Sequence, residues 1–447
     1  MTEEIPDVLS ISSALSYHSE RTPEKLYLIC EGNKFTYSEI NRIVSQCCAF
    51  LESKGLVSGD TFSMIIRNGV EYIALYLAGL RLGCSVNPYP FNLEPKDVSR
   101  YLGTINPKLM LCQKNHYEGM LKHIGTKVIL IEDTFLNSLD IYNEKYDNFI
   151  PDSESPACIY YSSGTTGNPK SIVFSHKNMM SNISSIVRGF NHKKDQAHLI
   201  ILPLGHTASI NYSFLPCTLV GSTIVIEDSF WKIRANFWKI VNKYKIHYVQ
   251  VVPSVIVAMI NTPYNSSEIN ENKNLSYVGC GSAPLPEELQ NNFLEKFNLK
   301  VANLYGLSET GPTHVDYPLS DSWVPGSIGF PLDVNNVLIV DEDGNFLGPN
   351  ETGEIAIKGD NVFIGYHKNQ KLYDNVVNDG IFHTGDLGYY DDLGLFYFVG
   401  REKDLIIKGG INIVPDEIDE VIFKLDQVKE AATIGVRDSY LGEKICT

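Results

Sequence analysis

An α/β fold is what the sequence predicts, and three observations carry it. Through residue 326, short apolar runs alternate with stretches of helical period. From about Ser327 the helical stretches give way to short strands and turns rich in Gly and Asp. Beyond Gly400 a new strand–helix–strand pattern begins. Strands alternating with helices at this spacing build a mostly parallel sheet, and turn-punctuated strands build a β region.

The elements come in order along the chain. Residues 10–55 read as a helix, a short strand pair and a second helix. Thr36 is placed to cap that second helix, with Glu39 three residues on completing a capping box. Ile40, Val44, Cys47, Cys48 and Leu51 recur at helical spacing, and Gly55 ends the run. A strand at 61–66, an apolar helix at 71–82 and strands at 85–88, 109–112 and 127–131 come next. Further buried strands are read at 157–161, 172–174, 197–202, 222–226, 248–252, 277–280 and 300–305, most of them separated by helices. The β region carries strands at 337–340, 353–358 and 395–398. After Asp404 come strands at 405–408 and 411–414, a helix from Pro415, a strand at 431–436 and the opening of another before Thr447.

Composition excludes several classes. At 43% hydrophobic and 20% charged, the 447-residue chain is neither disordered nor fibrous. A formal net charge of −16 argues against nucleic acid or an anionic membrane as a partner, so an anionic ligand needs a local site that overrides the global field. The nine cysteines are scattered without a CxxC pair, which predicts reduced, buried thiols rather than a disulfide framework or structural zinc. The acidic N-terminus lacks the apolar core of a leader, and no apolar run reaches the ~18 residues of a membrane span. These readings predict a cytoplasmic protein; they leave its oligomeric state open.

The most informative stretch is Ser162-Ser163-Gly164-Thr165-Thr166-Gly167, with Lys170 just beyond. Glycines let backbone N–H groups turn toward an anion, hydroxyls add donors, and Lys170 adds a point charge. That combination suits a polyphosphate. It is not a Walker A loop, because that pattern counted from Gly164 requires glycine where Pro169 stands, and the residues after Lys170 read as a strand.

This stretch resembles the phosphate loop of the acyl-adenylate-forming superfamily, which includes acyl-CoA synthetases, adenylation domains and firefly luciferase. Four more segments resemble that family's motifs in the same order: 202–206 ending in His206, 305–310 with Tyr305 and Glu309, 383–388 with Asp386, and 400–410 from Gly400 and Arg401 to Gly410. The resemblance covers nearly the whole chain. It implies a large N-terminal domain, 1–401, of two mostly parallel α/β sheets (about 1–326) plus a distorted β-barrel (327–401), and a small, mobile α+β C-terminal domain from 402 to 447.

The resemblance also implies a site. Thr166, Lys170, His206 and Glu309 stand at catalytic positions. Ser162, Ser163, Gly164, Thr165, Thr166, Gly167 and Lys170 would hold phosphates. Ser282, Ala283, Pro284, Tyr305, Gly306 and Ser308 would frame the adenine and phosphate, Glu309 would ligate Mg²⁺, and Asp386 and Arg401 would hold the ribose. Lys403 and Asp404 match the hinge, and Lys408, Gly409 and Gly410 the thiol channel. The implied reaction activates a small-molecule carboxylate with ATP as acyl-AMP, releases pyrophosphate, and passes the acyl group to coenzyme A or to the phosphopantetheine of an acyl carrier protein. The acyl pocket would draw on 206–214, 250–257, 278–282 and 305–312, where small and apolar residues such as Ala208, Ser209, Val255, Gly279 and Gly281 favour a fatty or aryl acid. No Asp after His206 offers itself to a substrate amine.

One departure stands out. The family places a catalytic lysine late in the C-terminal domain, in a Pro/Gly-flanked loop. Here the late lysines are Lys424, Lys429 and Lys444, and none sits in such a loop. The C-terminal domain therefore reads as incomplete. Three readings stay open: a shortened ligase, a half-enzyme completed by another polypeptide, and a non-catalytic nucleotide or acyl-adenylate binder.

Overall fold

The computed structural model describes residues 5–114, 116, 126–142, 151–162, 169–408, 411–423, 425, 428, 431–438 and 442–447. Two seven-stranded sheets dominate. In the first the strand order is Lys300–Leu304, Tyr277–Gly281, Tyr248–Val251, Ala197–Ile200, Thr223–Ile226, Leu26–Cys30 and Asn33–Thr36. Every pair is parallel except the last, a hairpin. In the second the order is Gly365–Tyr366, Lys170–Ser175, Pro156–Ser162, Ser85–Pro88, Thr61–Ile65, Leu109–Cys112 and Lys127–Leu130. Its pairs are parallel from Pro156–Ser162 onward, and the first three strands are antiparallel neighbours. Because parallel strands are buried on both faces, they stand in the sequence as unbroken apolar runs, which makes them legible there.

The helices that cover these sheets obey the expected local chemistry. In Tyr37–Ser53 the Thr36 hydroxyl accepts from the Glu39 N–H while the Glu39 carboxylate accepts from the Thr36 N–H, the reciprocal capping box. Buried Arg81, near the end of Val70–Arg81, donates to Asn41, Ser45 and Ser16, and so ties three helices together. A helix at Pro95–Ile105 lies where the sequence reading has none; Val98, Leu102 and Ile105 form its buried stripe.

Beyond residue 327 an antiparallel sheet carries Asn335–Val340, Gly353–Gly359, Ile381–Tyr390 and Val377–Asn378, with Phe396–Arg401 also paired to Ile381–Tyr390. Register shifts on both sides of Ile381–Tyr390 bend it. This is the β-rich part foreseen from the turns. A four-stranded antiparallel sheet of Ile411–Ile413, Ile406–Lys408, Gly442–Cys446 and Ile434–Asp438, with the helix Pro415–Phe423, ends the chain. Eight cysteines are buried, Cys446 is exposed, and all nine are free thiols. No helix among the described residues is long and apolar enough to cross a membrane.

Candidate active site

Parallel strands all end on one edge of their sheet, and ligands collect at that edge. Tyr305 comes directly after Lys300–Leu304, residues 281–284 close Tyr277–Gly281, and His206 lies a short loop beyond Ala197–Ile200. That loop is held by the connection and helix that follow Thr61–Ile65. The Tyr72 hydroxyl donates to the Leu204 carbonyl at 2.5 Å, and Asn68 both donates to the Leu202 carbonyl and accepts from the Leu204 N–H. His206 itself is exposed to solvent but ringed by protein, and this partial enclosure lowers its basicity. After it the chain makes a π-helical turn over Ile210–Phe214, a geometry concentrated at functional sites.

Tyr305 is buried. Its ring meets His314 edge-on at 5.3 Å, and its hydroxyl donates to Asp386 Oδ2 at 2.8 Å. Asp386 is 2% exposed and its Oδ1 lies 3.0 Å from Arg401 Nε, while the Arg401 side chain is half exposed. Burial pushes the Asp386 carboxyl up, and Arg401 and the Tyr305 hydroxyl pull it back. Three residues far apart in the sequence thus form one continuous polar chain.

Asp386 reaches this place through a bulge. Against Glu354–Ala356 on one strand, His383–Leu387 on the other spans two extra residues. Glu354 holds the bulge, accepting from the Gly385 N–H at 2.8 Å and facing His383 Nδ1 at 2.8 Å. Alone, the Thr384-Gly385-Asp386 triplet reads as a turn; it is instead the kinked middle of a ten-residue strand.

Glu309 lies in the connection between Gly306–Leu307 and Gly311–Pro312, which pair as a hairpin. It is 7% exposed, and its Oε1 accepts from the Tyr366 hydroxyl at 3.0 Å. Burial raises the Glu309 carboxyl; the Tyr366 hydroxyl and then Lys170 oppose that rise. Lys170 Nζ sits 5.5 Å above the Tyr366 ring, because Gly365–Tyr366 is the neighbour strand of Lys170–Ser175. Tyr366 and Glu354 are the residues that sequence reasoning missed. Glu354 had a faint signal, a charged residue at the head of the apolar run 355–357; Tyr366 had none.

The remaining predicted residues divide. Ser162 is half-buried and pairs with Lys170 across a hairpin, but Ser163, Gly164, Thr165, Thr166 and Gly167 lie outside the described residues. Ser282, Ala283 and Pro284 are exposed at the strand end, and Ser282 has φ of +70°, a left-handed conformation uncommon for a residue with a side chain. Gly306 is exposed and Ser308 half-buried beside Glu309. Lys403 and Asp404 are exposed on the turn Glu402–Asp404. Lys408 pairs with Gly442, and Gly409 and Gly410 lie outside the described residues.

The family model described as AMP-binding enzyme matches residues 15–367. The sulfoacetate–CoA ligase of Cupriavidus necator is 29% identical over 98% of this chain and 88% of its own length. The 4-coumarate–CoA ligase 3 of Oryza sativa subsp. japonica is 28% identical over 92% of this chain and 77% of its own. Among solved structures, ATP-bound MatB from Rhodopseudomonas palustris superposes with a TM-score of 0.90 at 25% identity, covering 98% of this chain and 87% of that one.

Proposed function

Since the chain belongs to the AMP-binding enzyme family, we propose that it is an ATP-dependent acid–thiol ligase of the AMP-forming kind, with coenzyme A as acceptor. In the first half-reaction a carboxylate oxygen attacks the α-phosphorus of ATP, the bond to the bridging oxygen breaks, and pyrophosphate leaves with that electron pair. In the second the thiolate sulfur attacks the acyl carbon and AMP departs. Catalysis of the first half is positioning and charge neutralisation rather than covalent chemistry.

The observation that carries this reading is the Tyr305–Asp386–Arg401 chain, which joins residues 81 positions apart into one polar group beside the end of Lys300–Leu304. On it the Tyr305 ring stacks on adenine, and Asp386 with Arg401 takes the ribose hydroxyls. Ser282, Ala283, Pro284, Gly306 and Ser308 frame the base and phosphates. Lys170 neutralises the phosphates, and Ser162, Ser163, Gly164, Thr165, Thr166 and Gly167 donate to them.

Glu309 fits Mg²⁺: it is a hard oxygen donor anchored through one oxygen by Tyr366. Among the described residues no group of three or more His, Cys, Asp or Glu forms a metal site by itself, so phosphates would supply most of the cation's ligands. Bound there, the cation would neutralise developing phosphate charge. His206 lines the acyl and thiol side. We place the hinge at Lys403–Asp404 and the thiol approach at 408–410, with residues 402–447 as the moving part.

The test is acid-dependent pyrophosphate release, then thioester formation with coenzyme A, across a panel of carboxylates. Release that depends on both ATP and acid, and falls in Asp386→Asn, is expected. Tight ATP binding without release for any acid would favour the non-catalytic binder and overturn the ligase reading.

A further inference from the structure

Tyr248–Val251 and Tyr277–Gly281 are parallel neighbours, with Tyr248 opposite Tyr277 and Gln250 opposite Gly279. Side chains alternate along a strand, so each has two distinct faces. Val249, Val251, Val278 and Cys280 enter an apolar cluster with Trp238 and Phe293. The opposite face presents Tyr248, Gln250, Gly279 and Gly281. This face leads to residues 281–284 and so to the candidate adenylate site.

Gly279 must lack a side chain: a Cβ there would lie 2.4 Å from the Tyr248 hydroxyl and 2.9 Å from Leu304 Cδ1. A Cβ on Gly281 would lie 2.6 Å from the Leu304 carbonyl oxygen. Gln250 is 3% exposed, and among the described residues neither its Nε2 nor its Oε1 has a hydrogen-bond partner. Tyr248 is 1% exposed, and its hydroxyl is unpartnered in the same sense. Three unpaired polar atoms therefore belong to this one strand face, the Tyr248 hydroxyl against Gly279 and the Gln250 amide on the residue paired with it. Each costs about 1–3 kcal/mol when left unmade, and native proteins rarely leave such groups idle.

Resting on the ligase reading, we infer that the acid carries a neutral hydrogen-bonding group at its far end, best a hydroxyl, which Gln250 and Tyr248 receive. An amide and a phenol each donate and accept, as a hydroxyl does. Burial keeps the Tyr248 phenol protonated, so both groups are neutral and offer no counter-charge to a second carboxylate or an ammonium. Gln250 lies two residues, roughly 7 Å, below the Gly281 strand end. That depth suits one aromatic ring or a short chain between carboxylate and hydroxyl. It narrows the fatty-or-aryl expectation to short, hydroxylated acids.

The experiment compares matched acids on the full chain by pyrophosphate release: 3-(4-hydroxyphenyl)propanoate against 3-phenylpropanoate, and 6-hydroxyhexanoate against hexanoate. A site built to pair a hydroxyl discriminates strongly against the analogue that leaves its own groups unpaired. The hydroxylated acid of at least one pair should have a kcat/KM about 100-fold higher or more. That ratio should fall at least tenfold in Gln250→Leu, with Tyr248→Phe as the second variant. The wild-type ratio needs no variant to fold. Equal or better use of both unsubstituted acids overturns the inference while leaving the ligase reading intact. So does a ratio that neither substitution changes. No release with any acid overturns both.

Discussion

Removing the hydroxyl of Tyr366 tests how the candidate site holds its buried carboxylate. In Tyr366→Phe the ring stays, with its 4.8 Å contact to Phe363 and the Lys170 ammonium 5.5 Å above it. Only the 3.0 Å bond to Glu309 Oε1 disappears. A hydrogen bond to a charged acceptor contributes about 1.5–3 kcal/mol, so steps that need the Glu309 carboxylate in place should weaken roughly 10- to 100-fold. The Tyr366 hydroxyl is the foremost influence holding the Glu309 carboxyl down against burial. Without it Glu309 keeps its proton to higher pH, and the acid limb of activity moves up. The assay is ATP–pyrophosphate exchange titrated with Mg²⁺ at several pH values, with urea unfolding in parallel. A variant within twofold of wild type at every Mg²⁺ concentration, with an unmoved acid limb, would refute the claim that Tyr366 positions Glu309.

Three further outcomes are expected. Asp386→Asn keeps the Tyr305 contact but removes the charge facing Arg401, so KM for ATP should rise about tenfold; an unchanged KM would detach this group from nucleotide binding. Asp316 is buried, accepts the Asn303 N–H at 2.8 Å, and burial pushes its carboxyl up to about 7. A carboxyl raised by folding binds its proton more tightly folded than unfolded. Its contribution is therefore full below the ordinary value of 3.8 and lost as pH rises through 7. Asp316→Asn should flatten that fall and be more stable than wild type at pH 8 by up to about 4 kcal/mol, and matching urea midpoints at pH 8 would contradict this. Thr36→Ala breaks the capping box and should cost about 1 kcal/mol in urea unfolding; no loss would mean the cap is compensated elsewhere.

What the sequence determined by itself is local. Apolar runs located the buried strands, and Thr36 with Glu39 marked a helix start. Glycine and Asp turns marked where the β-rich part begins, because period and turn chemistry are written in consecutive residues. The motifs carrying Lys170, Tyr305, Glu309, Asp386 and Arg401 were legible for the same reason. Only the tertiary structure decided what those residues touch. The Thr384-Gly385-Asp386 triplet became the kink of a long strand because Glu354, on the adjacent strand, satisfies its backbone. Tyr366 reached Glu309 because a two-residue strand pairs beside Lys170–Ser175. The family resemblance put Gln250 in the acyl pocket, but only its register against Gly279 placed it on the face shared with Tyr248. Such pairings join segments far apart in the chain, and they are chosen by strand register and burial, which no window of consecutive residues contains.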